Sequence, residues 1–218
     1  MAEHLNRSLR AAPRWRRQPK QRPRALMNAA LRLLKRHGYR KIRVEDVAEA
    51  AGLSKTAVYH YFPNKDELLR QTLATRIAER TAEIERLLES AGGPPSKRLR
   101  KFLRHFWDMS LTSQSGLWQR LLITELAADA PELFEIWAQG LVDRWTLVEA
   151  LIKEGQTRGE FRRDVDAPVA ARLIVSGLAH QALFHVHLGV SRLAPCDPDH
   201  LFETAVDHLF QTLRARGR

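Results

Sequence analysis

The sequence has a single cysteine, Cys196, which excludes an intramolecular disulfide and any multi-cysteine zinc site. A reducing, cytoplasmic home is the natural expectation for such a chain. Apolar runs are short, and none approaches the roughly 20 residues that a membrane span needs. The first 24 residues lack the apolar stretch of a secretory signal, although an Arg-rich, acid-poor start is also the composition of a mitochondrial-type presequence. No segment alternates with the period of a strand. No Gly-x-Ser-x-Gly elbow, Walker loop, Rossmann fingerprint or metal triad is present, so neither an enzyme nor a cofactor is expected.

Acidic residues are scarce in one region only. Residues 1–24 carry eight Lys and Arg against Glu3 alone, and residues 25–70 carry nine against five acids. The remainder is balanced, so the whole net charge of +11 lies in the first third. A basic segment on a neutral remainder suggests one part that meets a polyanion and another with a different task. The bland alternative is a tail that only aids solubility.

The pattern that is present is helical throughout. An arm punctuated by Pro13, Pro19 and Pro23 should be disordered in isolation. A first helix follows to about His37, with Leu26, Ala30, Leu33 and Leu34 on one stripe and Gly38 as its stop. Val44 to Ala51 reads as a short helix, broken at Gly52-Leu53, and Ser54 is a ready N-cap for a third helix to about Phe62. Pro63 ends that one. Asn64-Lys-Asp-Glu67 reads as a capping box opening a long fourth helix to about Ser90, where Gly92-Gly93-Pro94-Pro95 stops it. Further helices fit 96–112, 115–128, 131–158, 166–188 and 199–214.

Three short helices with a tight turn between the second and third are the layout of a helix-turn-helix, here at residues 43–62. Small Ala48 and Ala51 let the helices approach, Gly52 permits the turn, and Val58 with Phe62 anchors the third helix. Lys55, Thr56, Ala57, Tyr59, His60 and Tyr61 are then left to face outward, where they suit phosphate and base-edge contacts in a major groove. An ordinary helical hairpin with a polar face is the competing reading.

Residues 25–75 decide between the two. Ala29-Ala30-Leu31, His37-Gly38-Tyr39, the run Val44-Glu-Asp-Val-Ala-Glu-Ala-Ala-Gly-Leu-Ser54-Lys55 and the run Val58-Tyr-His-Tyr-Phe-Pro-Asn-Lys65-Asp-Glu-Leu-Leu69 closely resemble the tetracycline-repressor (TetR) family. The resemblance implies an all-α fold in which an N-terminal three-helix DNA-binding domain is joined by a long helix to an all-helical ligand-binding and dimerisation domain. It further implies a homodimeric repressor, released from a palindromic operator on double-stranded DNA by a small-molecule effector. Residues 1–20 would be the arm, 21–81 the DNA-binding domain and 82–218 the effector and dimerisation domain. Carried across position by position, Ser54, Lys55, Thr56 and Ala57 stand where the family reads bases and nearby phosphates. Tyr59 and Tyr61 match its phosphate-contacting aromatics, and Lys65 matches the lysine opening its fourth helix. Arg43 replaces the family's usual Thr, which removes a good cap and supplies a cation. Arg22 and Arg24, next to the first helix, are placed to reach the minor groove.

Beyond residue 90 aromatic residues are concentrated, and core packing or an apolar effector pocket would each account for them. His105, Trp118 and His180 are the candidate effector contacts. Glu125 and Asp129 could hold a cationic effector or simply be solvated. His180, His185 and His187 fall on different helix faces, unlike the i, i+4 pair of a helical zinc site, so no metal is expected. Val169 to Leu188 is apolar around much of its circumference and carries small residues, which points to dimerisation through helices near 166–188 and 199–214.

Overall fold

The computed structural model describes residues 21–112, 116, 118 and 121–214. The basic arm, residues 1–20, lies outside them, as does most of 113–120. Four helices lead the chain: α1 (Gln21–His37), α2 (Val44–Ala50), α3 (Lys55–Tyr61) and the long α4 (Lys65–Ala91). Next come α5 (Pro95–Leu111), α6 (a π-helical turn Leu122–Leu126 continued by Ala127–Asp129), α7 (Pro131–Thr157), α8 (Ala167–Gln181) and α9 (Pro198–Leu213). The described residues contain no strand, only an isolated bridge between Phe161 and Arg214.

Local chemistry sets these boundaries. Gly38 and Gly52 take positive φ, 81° and 65°, at the turns that follow α1 and α2. Ser54, Asn64, Asp166 and Asp197 each accept a hydrogen bond from the backbone N–H three residues on, capping α3, α4, α8 and α9. The expected capping box at Asn64 is half realised. The Glu67 carboxylate turns to Arg70 and Gln71, 2.6 and 2.5 Å away, and this holds it well below the usual carboxylate range, at about 2.

Two apolar cores result. The head core joins Leu26, Ala30 and Leu34 of α1 with Val47, Val58, Phe62, Leu69 and Leu73, and it also takes in Leu121, Leu126 and Leu133 from the second half of the chain. The body core joins Leu99, Phe102 and Trp107 of α5 with Val148, Ile152, Phe161, Val175, Phe202 and Phe210. Helices α4 and α7 run side by side from one core to the other, each contributing to both.

Two expected helices differ in detail. The segment expected at 115–128 is wound as a π-turn over Leu122–Leu126, and the one at 166–188 widens into a π-turn over Ala182–His187. In both, a side chain from the wider turn reaches a backbone group elsewhere. Glu125 accepts from the Tyr39 N–H at 2.7 Å. His185 and His187 donate from Nε2 to the carbonyls of Cys196, at 3.1 Å, and Ser110, at 2.7 Å. Taken together, Ala167–His187 is long and apolar enough, by length and composition, to cross a membrane, which the sequence pattern did not suggest. One face of it lies in the body core, and the apolar surplus faces outward.

Candidate nucleic-acid interface

The orientation of α3 follows from its anchors. Val58 and Phe62 are buried in the head core, and the Ser54 hydroxyl accepts from the Ala57 N–H at 3.2 Å. Their burial turns Lys55, Thr56, Tyr59 and His60 to solvent, and Tyr59 is 45% exposed. Lys55 Nζ lies 2.5 Å from Glu45 on α2 and 5.8 Å from the centre of the Tyr59 ring. That hydrogen bond raises the lysine above its ordinary value and lowers the glutamate. The pair is exposed, so a phosphate or a base edge can take the ammonium from Glu45 at small cost.

Tyr61 departs from expectation. It is half-buried and packed against the head core, with its ring edge-on to His60 at 5.0 Å. Residues 58, 61 and 62 share the inward side of a helix only seven residues long. Ala57 is half-buried as well. Arg43 is exposed and extended and makes no side-chain cap to α2, leaving a cation beside the motif. Arg22 is half-buried. Arg24 donates to Glu79 of α4 at 2.7 Å.

Lys65 is held twice. Its ammonium donates to the Tyr39 carbonyl at 3.0 Å and sits 4.1 Å from the centre of the Tyr39 ring. The Tyr39 hydroxyl donates to Asp66 at 2.9 Å. Burial, then that bond, raises the phenol above its ordinary value. Lys65 thus ties the α1–α2 loop to the start of α4.

One group of functional contacts had no signal in the sequence. Besides the Tyr39 N–H, Glu125 packs its carboxylate over Gly38. Asp129 takes a two-pronged ion pair from Arg40, at 2.6 and 2.8 Å. These acids, candidates for a cationic effector, instead hold α6 to the α1–α2 loop. Partners 86 and 89 residues apart leave no local pattern to read.

The three candidate effector contacts are not brought together. His105 is half-buried on α5. Trp118 packs against the head core, with the Lys35 ammonium 5.5 Å from its ring centre. His180 is exposed, stacked on Phe184 at 4.2 Å. Residues 171, 175, 178, 182 and 185 point inward on that helix, so position 180 faces out.

A three-helix head whose third helix is capped, anchored and exposed, set on an all-helical body, has the layout of a helix-turn-helix DNA-binding unit. The family model described as bacterial regulatory proteins, tetR family, matches residues 26–72. Residues 26–72 are thus similar to that family. Among curated relatives, the regulator EthR of Mycolicibacterium smegmatis is 30% identical over 140 residues, 62% of this chain and 61% of that protein. The repressor KstR2 of the same organism is 24% identical over 158 residues, 72% of this chain and 76% of that protein. The aligned region thus spans less than two thirds of EthR. Among solved structures, the regulator FadR of Bacillus subtilis in complex with stearoyl-CoA superposes with a TM-score of 0.69 at 18% identity, covering 87% of this chain and 98% of that one. At that identity the likeness bears on the fold.

Proposed function

We propose that this chain is a sequence-specific DNA-binding transcription regulator, a homodimeric repressor released from a palindromic operator by a small molecule. The observation that carries the reading is the exposed Lys55-Thr56-x-x-Tyr59 face on a helix fixed from behind by Val58 and Phe62. Residues 21–81 serve as the DNA-binding unit in this reading, and 82–218 as the effector and dimerisation unit. The outward face of α8 and of the π-turn that follows it supports the dimer: Val169, Leu173, Phe184 and Leu188 are exposed, with Leu173 70% and Leu193, further along the chain, 88% accessible. Helix α9 adds no large exposed apolar side chain, so α8 supplies the apolar part of the interface. Contacts between α6 and the α1–α2 loop give effector binding in the body a physical route to the head. The fold's capacity to hold a small molecule is seen in FadR, and KstR2 is named a repressor.

The test is a selection of operator sequences from random duplex DNA, followed by footprinting. The expected footprint is an inverted repeat whose half-sites lie about one or more DNA turns apart, near multiples of roughly 34 Å. Binding that is equal on scrambled DNA, or a footprint without inverted symmetry, would overturn the reading, because a regulator prefers its own site by orders of magnitude.

A further inference from the structure

Helices α4 and α7 approach closely at Ile77 and Gly140, where a Cβ on the buried glycine would meet the Ile77 side chain at 3.1 Å. Both helices run in the same direction there: Leu73 and Leu133 lie in the head core, while Leu88, Val148 and Leu151 belong to the body core. Arg80 follows Ile77 by three residues and Arg144 follows Gly140 by four. The helical period therefore sets both on one level and on one side of the seam. The other side is an open groove of about 520 Å³ lined by Thr81, Glu85, Gln139 and Asp143.

Arg144 folds back to donate from Nη1 to the Gly140 carbonyl at 2.6 Å. Among the described residues, neither guanidinium has a carboxylate at ion-pair distance. Glu83 and Asp143, the acids in their field, are exposed, and Glu79 is engaged by Arg24 and Arg76. Burial, then the charge of Arg80, lowers Arg144 to about 10, and burial, then Arg76, lowers Arg80. Lys35 is lowered by burial and then by Arg76 and Arg80. Arg80 and Arg144 thus share a region screened from water, with Arg76 exposed at its edge. Desolvated like charges are costly unless an opposite charge completes them.

We propose that Arg80 and Arg144 form the anion-binding end of the effector site, and that the effector carries a carboxylate or a phosphate on an apolar body. A planar guanidinium matches both groups, taking two oxygens at once, and small-molecule pockets are otherwise lined mainly by apolar side chains. This inference rests on the effector response proposed above.

The experiment is a thermal melt of the full chain at fixed ionic strength in chloride, with decanoate, inorganic pyrophosphate or decanol added, for wild type, Arg80→Gln, Arg144→Gln and Arg144→Lys. Wild type should gain about 5 °C at saturation with at least one of the two anions, and nothing with decanol. Decanoate alone would identify a free acid, and pyrophosphate alone a phosphate ester. Both Gln variants should lose the gain while melting, without anion, at or above wild type, because an uncompensated charge has gone. Arg144→Lys should keep part of the gain. No rise with either anion, or the same rise in wild type and both Gln variants, overturns the proposal. So does a fall in the melting temperature of both Gln variants in plain chloride. Operator binding is measured beside it by gel shift. Intact DNA recognition without an anion effect overturns this inference alone, whereas an anion effect in a protein that prefers no DNA sequence overturns the regulator.

Discussion

Lys65, Glu125 and Arg40 meet around the same three residues, Gly38 to Arg40, and their worth differs. The Arg40–Asp129 pair is short, but Arg40 is largely exposed, and exposed pairs contribute about 0–1 kcal/mol. Glu125 instead satisfies a half-buried backbone N–H. Removing it leaves a donor without its acceptor, which costs about 1–3 kcal/mol. In denaturant melts Glu125→Ala should therefore cost more than Arg40→Ala, and a double-mutant cycle on Arg40 and Asp129 should return little coupling. Equal losses would show that the interactions carry equal weight. Lys65 separates from Tyr59 in the same manner. Lys65→Ala removes the tie to Tyr39 and should lower both the melting temperature and the affinity for every DNA sequence. Tyr59→Phe, at an exposed hydroxyl, should lower affinity and leave the melt unchanged. Changing Lys55 or Thr56 should alter which sequence is preferred, because the start of α3 faces base edges. Unchanged preference in a selection with Lys55→Ala would place base reading elsewhere.

Elements were legible from the sequence where local chemistry defines them. Proline, glycine and the side-chain caps marked the C-terminal end of α1 and the ends of α2 to α5 and of α7 to within a residue or two, since each acts over one turn. The exposed side of α3 was legible through Val58 and Phe62, except at Tyr61, whose amphipathic ring a period count does not assign to one side. The π-turns were not legible, because they depend on carbonyls and N–H groups far along the chain. Nor was the charge network of Arg80 and Arg144, which arises from the register of two helices 64 residues apart. Helix α8 is the element whose environment is least complete in one protomer. Leu173→Glu puts a charge in the middle of its exposed apolar stripe and should give a monomer by sedimentation at micromolar concentration, with the helical signal retained. A dimer that survives this change would move the interface off α8.

For the whole molecule, the division of charge matters most. The first 20 residues hold six Lys and Arg against Glu3. Deleting them should leave a folded protein with weaker, less salt-sensitive DNA binding. Each phosphate contact on duplex DNA contributes about −0.9 to the log–log salt slope, so two or three arm contacts would flatten it by roughly two to three units. Parallel slopes for the full-length and truncated proteins would reduce the arm to a solubilising tail.

Cys196 is exposed, its carbonyl is pinned by His185, and it is the only thiol in the chain. The native protein therefore carries a ready-made attachment point for a spectroscopic reporter. A nitroxide placed there labels each protomer once, three residues from Leu193 and close to the apolar stripe of α8. In the proposed homodimer, pulsed electron resonance would then read a single distance between protomers. Its change on adding DNA or an anion would follow the movement of one subunit against the other without any engineered residue.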